Sequence, residues 1–98
     1  MERHYERVTL LRDGIAVVEV DASIWVRPAT ATTLEDWGGE LSAVTGELLT
    51  IDTGNYTLRL ENGSEAAIIV NNFHVSSHAG IGASSSATFV GNGPSPAF

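Results

Sequence analysis

His74 and His78 lie four positions apart, and histidine is a common metal ligand. On a helix this spacing would place both imidazole rings on one face. The segment around them has the pattern of a strand running into a loop, where four residues span about 13 Å, so the two rings cannot meet at one ion. We therefore predict no metal site and no cofactor, and we interpret both histidines as polar loop or edge residues.

A second candidate is the triplet Asp52-Thr53-Gly54, which follows an apolar strand segment and precedes Asn55. Asp, Thr, Gly and Asn are ordinary turn formers, so the simplest interpretation of this segment is a turn. The triplet, together with Phe89-Val90-Gly91 later in the chain, also resembles the active-site elements of retroviral-type aspartic proteases, which are all-β homodimers of about this length.

That resemblance implies a specific chemistry for Asp52. In the family, two such carboxylates, one from each chain, share a proton and activate water. The sequence departs from the family pattern at Asn55, where a small Ala is usual, and in the mid-chain position of Asp52, which leaves little chain for a flap hairpin. We keep the protease as a remote alternative and predict that the protein is not an enzyme.

An acidic loop with a central tryptophan is the candidate binding segment. Glu35, Asp36 and Glu40 flank Trp37 and a Gly-Gly pair. Tryptophan is enriched among the residues that dominate the binding energy of interfaces, so Trp37 could anchor a partner at this acidic surface. The alternative is that Trp37 caps the hydrophobic core.

The C-terminal residues offer a different kind of binding segment. Residues 92–98 include Pro94 and Pro96 and end in Phe98, and the prolines exclude a helix or a central strand. We predict an extended tail that follows a single β domain over residues 1–91, with Phe98 docking into a groove of a neighbour. The alternative is a frayed terminus, which is common at the ends of domains.

Two dipeptides predict β-hairpins. Asp13-Gly14 and Asn62-Gly63 each supply the two positive-φ residues of a type I′ turn, and each lies between runs of apolar residues. A two-residue turn at Asn62-Gly63 would pair Leu58 with Ala67. The strand Ala66–Val70 has apolar residues on both faces, which predicts a central strand or one whose outer face meets another subunit.

The rest of the chain also has the pattern of short strands. We predict a loop over residues 30–39, one or two strands over residues 41–51, a flexible Gly/Ser loop over residues 76–86 and a last strand over residues 87–90. No stretch has a sustained helical period. The predicted fold class is all-β: a small barrel or sandwich of six to seven short, mostly antiparallel strands, with hairpins at Asp13-Gly14 and Asn62-Gly63.

The charge of the chain excludes several classes of partner. It has 12 acidic residues and 5 arginines, no lysine and a formal net charge of −7. A chain without a basic patch repels phosphate backbones and anionic membranes, so we predict no nucleic-acid binding and no membrane binding. No apolar run approaches the ~20 residues of a membrane helix. We expect a soluble protein, either cytoplasmic or part of a virion-like or secreted assembly.

The most informative feature of the chain is the absence of charge from its last third. From Ala66 to Phe98 there is no Asp, Glu, Lys or Arg. Charge normally keeps a surface solvated and free of unintended partners, so this tract must be mostly buried, disordered or covered by another chain. We therefore predict a non-enzymatic structural or assembly protein, a homo-oligomeric or particle-bound (decoration-type) subunit whose partner is itself or a larger protein assembly. The alternative is a monomeric acidic module that binds a protein.

Overall fold

Six strands close into a barrel. The computed structural model describes residues 3–44, 51–78 and 82–97, and within them there is no helix. The strands are β1 (Arg3–Arg12), β2 (Ile15–Arg27), β3 (Asp36–Val44), β4 (Gly54–Arg59), β5 (Glu65–His78) and β6 (Gly82–Gly91). All neighbours pair antiparallel in the order β1-β2-β3-β6-β5-β4, and β4 closes the barrel against β1. The all-β prediction is confirmed, and the barrel is the correct alternative.

The first hairpin has the turn that its sequence predicts. Asp13 and Gly14 have φ angles of 54° and 79°, and Arg12 pairs with Ile15 across them. A left-handed conformation at both central positions is the requirement of a type I′ turn, and Asp-Gly meets it with little strain. β2 then continues to Arg27 and pairs with both β1 and β3, and a bulge shifts its register against β1 between Leu10 and Leu11.

The second hairpin forms, but its turn differs from the prediction. The Leu60 N–H donates to the Ser64 carbonyl at 2.8 Å, and the Gly63 N–H donates back to the Leu60 carbonyl at 3.0 Å. The loop is therefore three residues long. Gly63 takes the left-handed conformation with φ 89°, whereas Asn62 does not. This is a type I turn followed by a glycine bulge, which accepts the same dipeptide as a type I′ turn.

The longer loop reverses the faces of β5. Leu58 pairs with Ala66 rather than with Ala67. Ala66 and Ile68 therefore point into the barrel and are 7% and 0% exposed, while Ala67 and Ile69 face outward. Because side chains alternate along a strand, a shift of one residue moves every side chain to the other face. The predicted pairing at this hairpin is wrong by that one residue.

β3 begins at Asp36, inside the segment that the sequence analysis predicts as a loop. Gly38 and Gly39, which suggested the loop, are strand residues at a close approach of two backbones. A β-carbon on Gly39 would overlap the carbonyl group of Ser23 on β2. Glycine inside a strand marks such an approach, so the loop prediction is wrong from Asp36 onward.

Strands also occupy most of the predicted Gly/Ser loop. β5 extends to His78 and β6 begins at Gly82, and these two residues pair with one another. β6 pairs on its other side with β3 as far as Ser84. Pairing on both sides of β6 overrides the weak strand propensity of serine and glycine, because strand preference depends strongly on context. Residues 45–50, where the sequence predicts a further strand, lie outside the described residues.

The interior of the barrel is filled mainly by aliphatic side chains, with the aromatic residues Trp37, Tyr56 and Phe89. Fully buried are Val8, Leu10, Val20, Ile24, Leu41, Leu58, Ile68, Val70 and Phe89. These residues come from all six strands and alternate with outward residues, as the period of a half-buried strand requires. The core therefore holds the outer surface of β5 and β6 in a fixed arrangement.

Candidate functional site

The outer surface of β5 and β6 carries no charge over its central rows. We call the outward residues Ala67, Ile69, Asn71, Thr88 and Val90 the uncharged face. Ile69 pairs with Val90, and Asn71 pairs with Thr88, across the two strands. Ile69 is 36% exposed and Val90 is 43% exposed. Two β-branched apolar side chains thus stand side by side in contact with solvent.

Neutral residues extend this surface to both sides. On the β4 side, Asn55 pairs with Ile69. On the β3 side, Gly38 pairs with Val90, and the indole of Trp25 lies 3.1 Å from the position that a β-carbon of Gly38 would take. Because Trp25 also pairs with Gly38, one row of paired residues crosses five strands, from Trp25 to Asn55, without a charged side chain.

Charged residues border the uncharged face. Glu40 on β3 pairs with Thr88. At the start of β5, two residues before Ala67, Glu65 forms an ion pair at 3.8 Å with Arg59 of β4. The guanidinium of Arg27 lies 5.6 Å from the centre of the indole ring at the other end of the row. An apolar centre with a polar and charged rim is the usual arrangement of a protein interface.

The polar residues of the uncharged face bond to one another. The Thr88 hydroxyl donates to Oδ1 of Asn71 at 2.5 Å, and Nδ2 of Asn72 donates to the Thr88 hydroxyl at 3.3 Å. Asn72 lies in a bulge of β5 and has a φ of 49°, a left-handed conformation that asparagine tolerates. These contacts fix the polar part of the face.

The acidic residues near the start of β3 are in part engaged within the molecule. Oε1 of Glu35 accepts a hydrogen bond from the Ser95 hydroxyl at 2.9 Å. Asp36 forms an ion pair with Arg27 at 3.3 Å. Glu40 is exposed on the outside of β3. The structure therefore does not gather the three carboxylates around one binding point.

Trp37, the predicted centre of that acidic surface, is buried in one end of the barrel. Its side chain is 2% exposed and packs edge-to-face on Phe89, with 6.1 Å between ring centroids and an angle of 71°. Its Nε1–H donates to the Gly93 carbonyl at 2.9 Å. This is the position expected of a tryptophan that caps the core. Phe98, the remaining candidate, lies outside the described residues.

The residues that follow β6 lie against the barrel of their own chain, and we call residues 92–97 the C-terminal strap. Nδ2 of Asn62 donates to the Ala97 carbonyl at 2.8 Å, and the Ala97 N–H donates to the Ser64 hydroxyl at 2.8 Å. Pro96 is buried. The strap therefore connects the end of the barrel that holds the tryptophan to the β4–β5 turn.

The carboxylate of Glu6 on β1 accepts a hydrogen bond from the same β4–β5 turn. The Glu6 side chain is 16% exposed, accepts a hydrogen bond from the Glu61 N–H at 2.7 Å and contacts Nε2 of His4. Burial raises the pKa of the Glu6 carboxyl, but the Glu61 hydrogen bond and the hydrogen bond and charge of His4 lower it by more, so the pKa lies below its ordinary value. The ionised carboxylate joins β1 to the β4–β5 turn.

Asp52, the residue of the protease resemblance, lies in a turn that Tyr56 ties together. The Tyr56 hydroxyl donates to the Asp52 carbonyl at 2.9 Å and accepts from the Asp52 N–H at 3.1 Å. The Arg12 guanidinium lies 5.3 Å from the centre of the same ring. The Asp52 side chain is exposed, and Phe89-Val90-Gly91 lies on β6, with β5 between it and β4.

A groove of about 340 Å³ opens beside the uncharged face, between the β1–β2 turn and strands β4 and β5. Among its described lining residues, Asp13 and Tyr56 are the ionisable ones. In the part of the chain that the structure describes, no group of three or more His, Asp or Glu side chains could hold a metal ion. The groove thus offers neither a metal centre nor a paired acid and base.

No protein-family model, curated protein or solved structure matches this chain significantly. Over the described ranges, none of the segments forms a helix of the length and hydrophobicity that a membrane span needs. The interpretation of the surface therefore depends on the geometry of the chain itself.

Sequence reasoning missed the exposed pair Ile69 and Val90, although it identified the uncharged tract that contains them. The predicted register placed Ile69 and Ala67 on the inner face, and so gave Ile68 and Val70 to the outside. The structure buries Ile68 and Val70, which together are bulkier than Ala67 and Ile69. A core is close-packed, so the larger combined volume of Ile68 and Val70 was the signal that could have identified them as the inward residues.

Proposed function

We propose that this protein is a non-enzymatic assembly subunit, a small β-barrel that associates through its uncharged face with copies of itself or with a larger protein particle. The observation that carries the proposal is the exposed pair Ile69 and Val90, which lies within a row of uncharged paired residues that curves around the barrel across five strands. Apolar side chains scattered singly over a surface need no explanation. Contiguous apolar side chains rimmed by polar residues are typical of interaction sites.

The distribution of charge supports this proposal. The chain has a net charge of −7, yet its last third, which supplies the uncharged face, carries no Asp, Glu, Lys or Arg. A net charge of this size keeps separate chains apart unless they meet where the charge is low. The uncharged face provides a contact surface of low charge on an otherwise acidic protein.

The alternative function is a monomeric acidic module that binds a basic protein. It would use the carboxylates near the start of β3, and its binding would weaken as salt is added. Ser95 engages Glu35, and Arg27 engages Asp36, inside the same chain. The ion pair offsets the charge that Asp36 offers to a partner, and the serine hydrogen bond occupies one oxygen of Glu35, so both contacts favour the assembly proposal.

The absolute mass in solution, measured by light scattering after size exclusion at low and high salt, tests the assembly function. We expect a stable multiple of the 10.4 kDa chain mass that persists in high salt, because contact between uncharged surfaces is not screened. A protein that stays monomeric at every concentration and salt level would overturn the proposal and would direct attention to the acidic module.

The remote alternative of an aspartic protease has its own test. The purified protein and its Asp52→Asn variant are incubated with an unfolded protein substrate at mildly acidic pH, and cleavage is followed by gel electrophoresis. We expect no cleavage that depends on Asp52. Cleavage by the natural chain that disappears in the variant would establish the enzyme in place of the assembly subunit.

A further inference from the structure

We infer that the uncharged face binds a second copy of this chain, so that the Ile69–Val90 pair of one copy packs on the same pair of the other about a twofold axis. The inference rests on the proposed assembly function and names its partner and its contact surface. It makes the basic unit of the assembly a face-to-face dimer of barrels.

The charge distribution favours a second copy of this chain as the partner of the uncharged face. A basic partner would be attracted to acidic residues, and the uncharged face has none to offer. Two copies of a −7 chain repel one another wherever carboxylates face carboxylates. Glu40 on β3 and Glu65 at the start of β5 border the uncharged face. Contact through the uncharged face keeps them at the rim, where water and salt screen them.

The shape of the face suits a twofold contact. In a symmetric dimer the same patch must complement itself, so the centre must be able to pack on its own copy. Ile69 and Val90 are cross-strand partners of similar size, and sheets that pack face to face bring such β-branched residues into contact at about 10 Å between sheets. The side-chain amide of Asn55 beside them has a donor and an acceptor that can bond in either direction across an axis.

The strands beside the central pair give the contact its extent. A stable interface buries roughly 800 Å² on each partner, which two side chains cannot supply. The row curves around the closed barrel, and β2 and β4 at its ends both pair with β1, so Trp25 lies away from the side that the central pair faces. The contact therefore depends on the outward residues of β3, β5 and β6 and on the near side of β4, as well as on the central pair.

Substitution of the central pair by lysine tests the surface. The double variant Ile69→Lys, Val90→Lys places two charges against two others, and its side chains point away from the core. We expect the dissociation constant of the oligomer to rise by at least about a hundredfold, because burying unpaired charges is costly. Leu34→Lys is the matched control, since Leu34 is 88% exposed in the β2–β3 loop and its substitution is expected to leave the mass unchanged.

A single introduced cysteine provides a second test of the contact surface that does not require the contact to be destabilised. The chain has no cysteine, so Val90→Cys and Leu34→Cys each create one unique thiol. Two β-carbons near a twofold axis can reach the ~3.8 Å at which a disulfide forms. We expect mild oxidation to link Val90→Cys or Ile69→Cys into a species of twice the 10.4 kDa chain mass, and to leave Leu34→Cys mostly unlinked.

The outcomes separate this inference from the function on which it rests. If the natural chain is an oligomer, but the double lysine variant keeps its mass and folds with an unchanged circular dichroism spectrum, the surface is wrong and the assembly function stands. If the natural chain is a monomer, both are overturned. An oligomer that dissociates in the lysine variant but not in the Leu34→Lys control supports both.

Discussion

The indole ring of Trp37 lies against the α-carbon of Gly91, in the space that a β-carbon would occupy. The two residues come from neighbouring strands of the barrel, β3 and β6. The tryptophan can fill the end of the core only because the strand facing it has no side chain at this position. A sequence change of one methyl group at Gly91 must therefore displace either the ring or the strand.

We expect Gly91→Ala to lower the free energy of unfolding by about 1–3 kcal/mol, the usual cost of overpacking. Chemical denaturation followed by tryptophan fluorescence measures this change. Ser42→Ala, at an exposed position of β3, is the control and should stay within about 0.5 kcal/mol of the natural chain. Equal stability of Gly91→Ala and the control would show that the ring does not occupy this space.

We expect Glu6 to make the stability of the protein depend on pH in the acid range. The pKa of the Glu6 carboxyl is lower in the folded chain than its ordinary value of 4.5, so its contribution to stability is fully present above that value. The contribution is lost as the pH falls below 4.5 and through the folded pKa. Thermal unfolding between about pH 6 and about pH 3 measures the loss.

Glu6→Gln is the variant that checks the sign of this effect. Glutamine keeps an acceptor for the Glu61 N–H but cannot titrate, so its melting temperature should fall less steeply with acid than that of the natural chain. Glu40→Gln, which changes the same charge at an exposed site, is the control. Parallel curves for the natural chain and Glu6→Gln would mean that Glu6 is not the group responsible.

We expect Gly63→Val to destabilise the β4–β5 hairpin by about 1–3 kcal/mol, because a β-branched residue resists the left-handed conformation. Gly63 has a φ of 89° in the folded chain. Glu61→Gln changes a surface charge in the same loop and should stay within about 0.5 kcal/mol of the natural chain. The melting temperatures of the two variants measure the difference. An unchanged melting temperature for Gly63→Val would show that the turn does not require a left-handed residue at this position.

Removal of the C-terminal strap should expose Trp37 without changing the assembly. In a Trp25→Phe background, deletion of residues 92–98 removes the carbonyl that accepts the Trp37 Nε1–H, so the fluorescence emission should shift to longer wavelength and the melting temperature should fall. The mass from light scattering should lose only that of the deleted residues in each copy, compared with the full-length Trp25→Phe chain. A loss of oligomers on deletion would instead locate the assembly contact in these residues.

The sequence predicts the fold class and both hairpins because local chemistry decides them. Asp13-Gly14 satisfies one tight turn, which sets the pairing of Arg12 with Ile15, although the register of β1 against β2 shifts by one residue between Leu10 and Leu11. Asn62-Gly63 is compatible with two turns that differ by one residue. Apolar residues on both faces of the following strand remove the usual alternation signal, so only the larger volume of Ile68 and Val70 could have favoured the observed turn.

The candidate site was only partly predictable for a related reason. The lack of charge in the last third is visible in composition alone. The pairing of Ile69 with Val90, the burial of Trp37 and the contact between Glu6 and the β4–β5 turn all join residues far apart in sequence. Such contacts depend on the strand order of the barrel, which no local pattern specifies.

The closure of the barrel has a consequence for the way this chain acquires its structure. β1 and β4 pair over Thr9–Leu11, a shorter seam than the one between β3 and β6, which extends from Gly38 to Val44. The strands on either side of the short seam belong to two three-stranded meanders, each made of sequence neighbours. Joining distant segments costs loop-closure entropy, so the meanders should assemble early and the β1–β4 seam last. The same seam is then where hydrogen exchange should first detect opening.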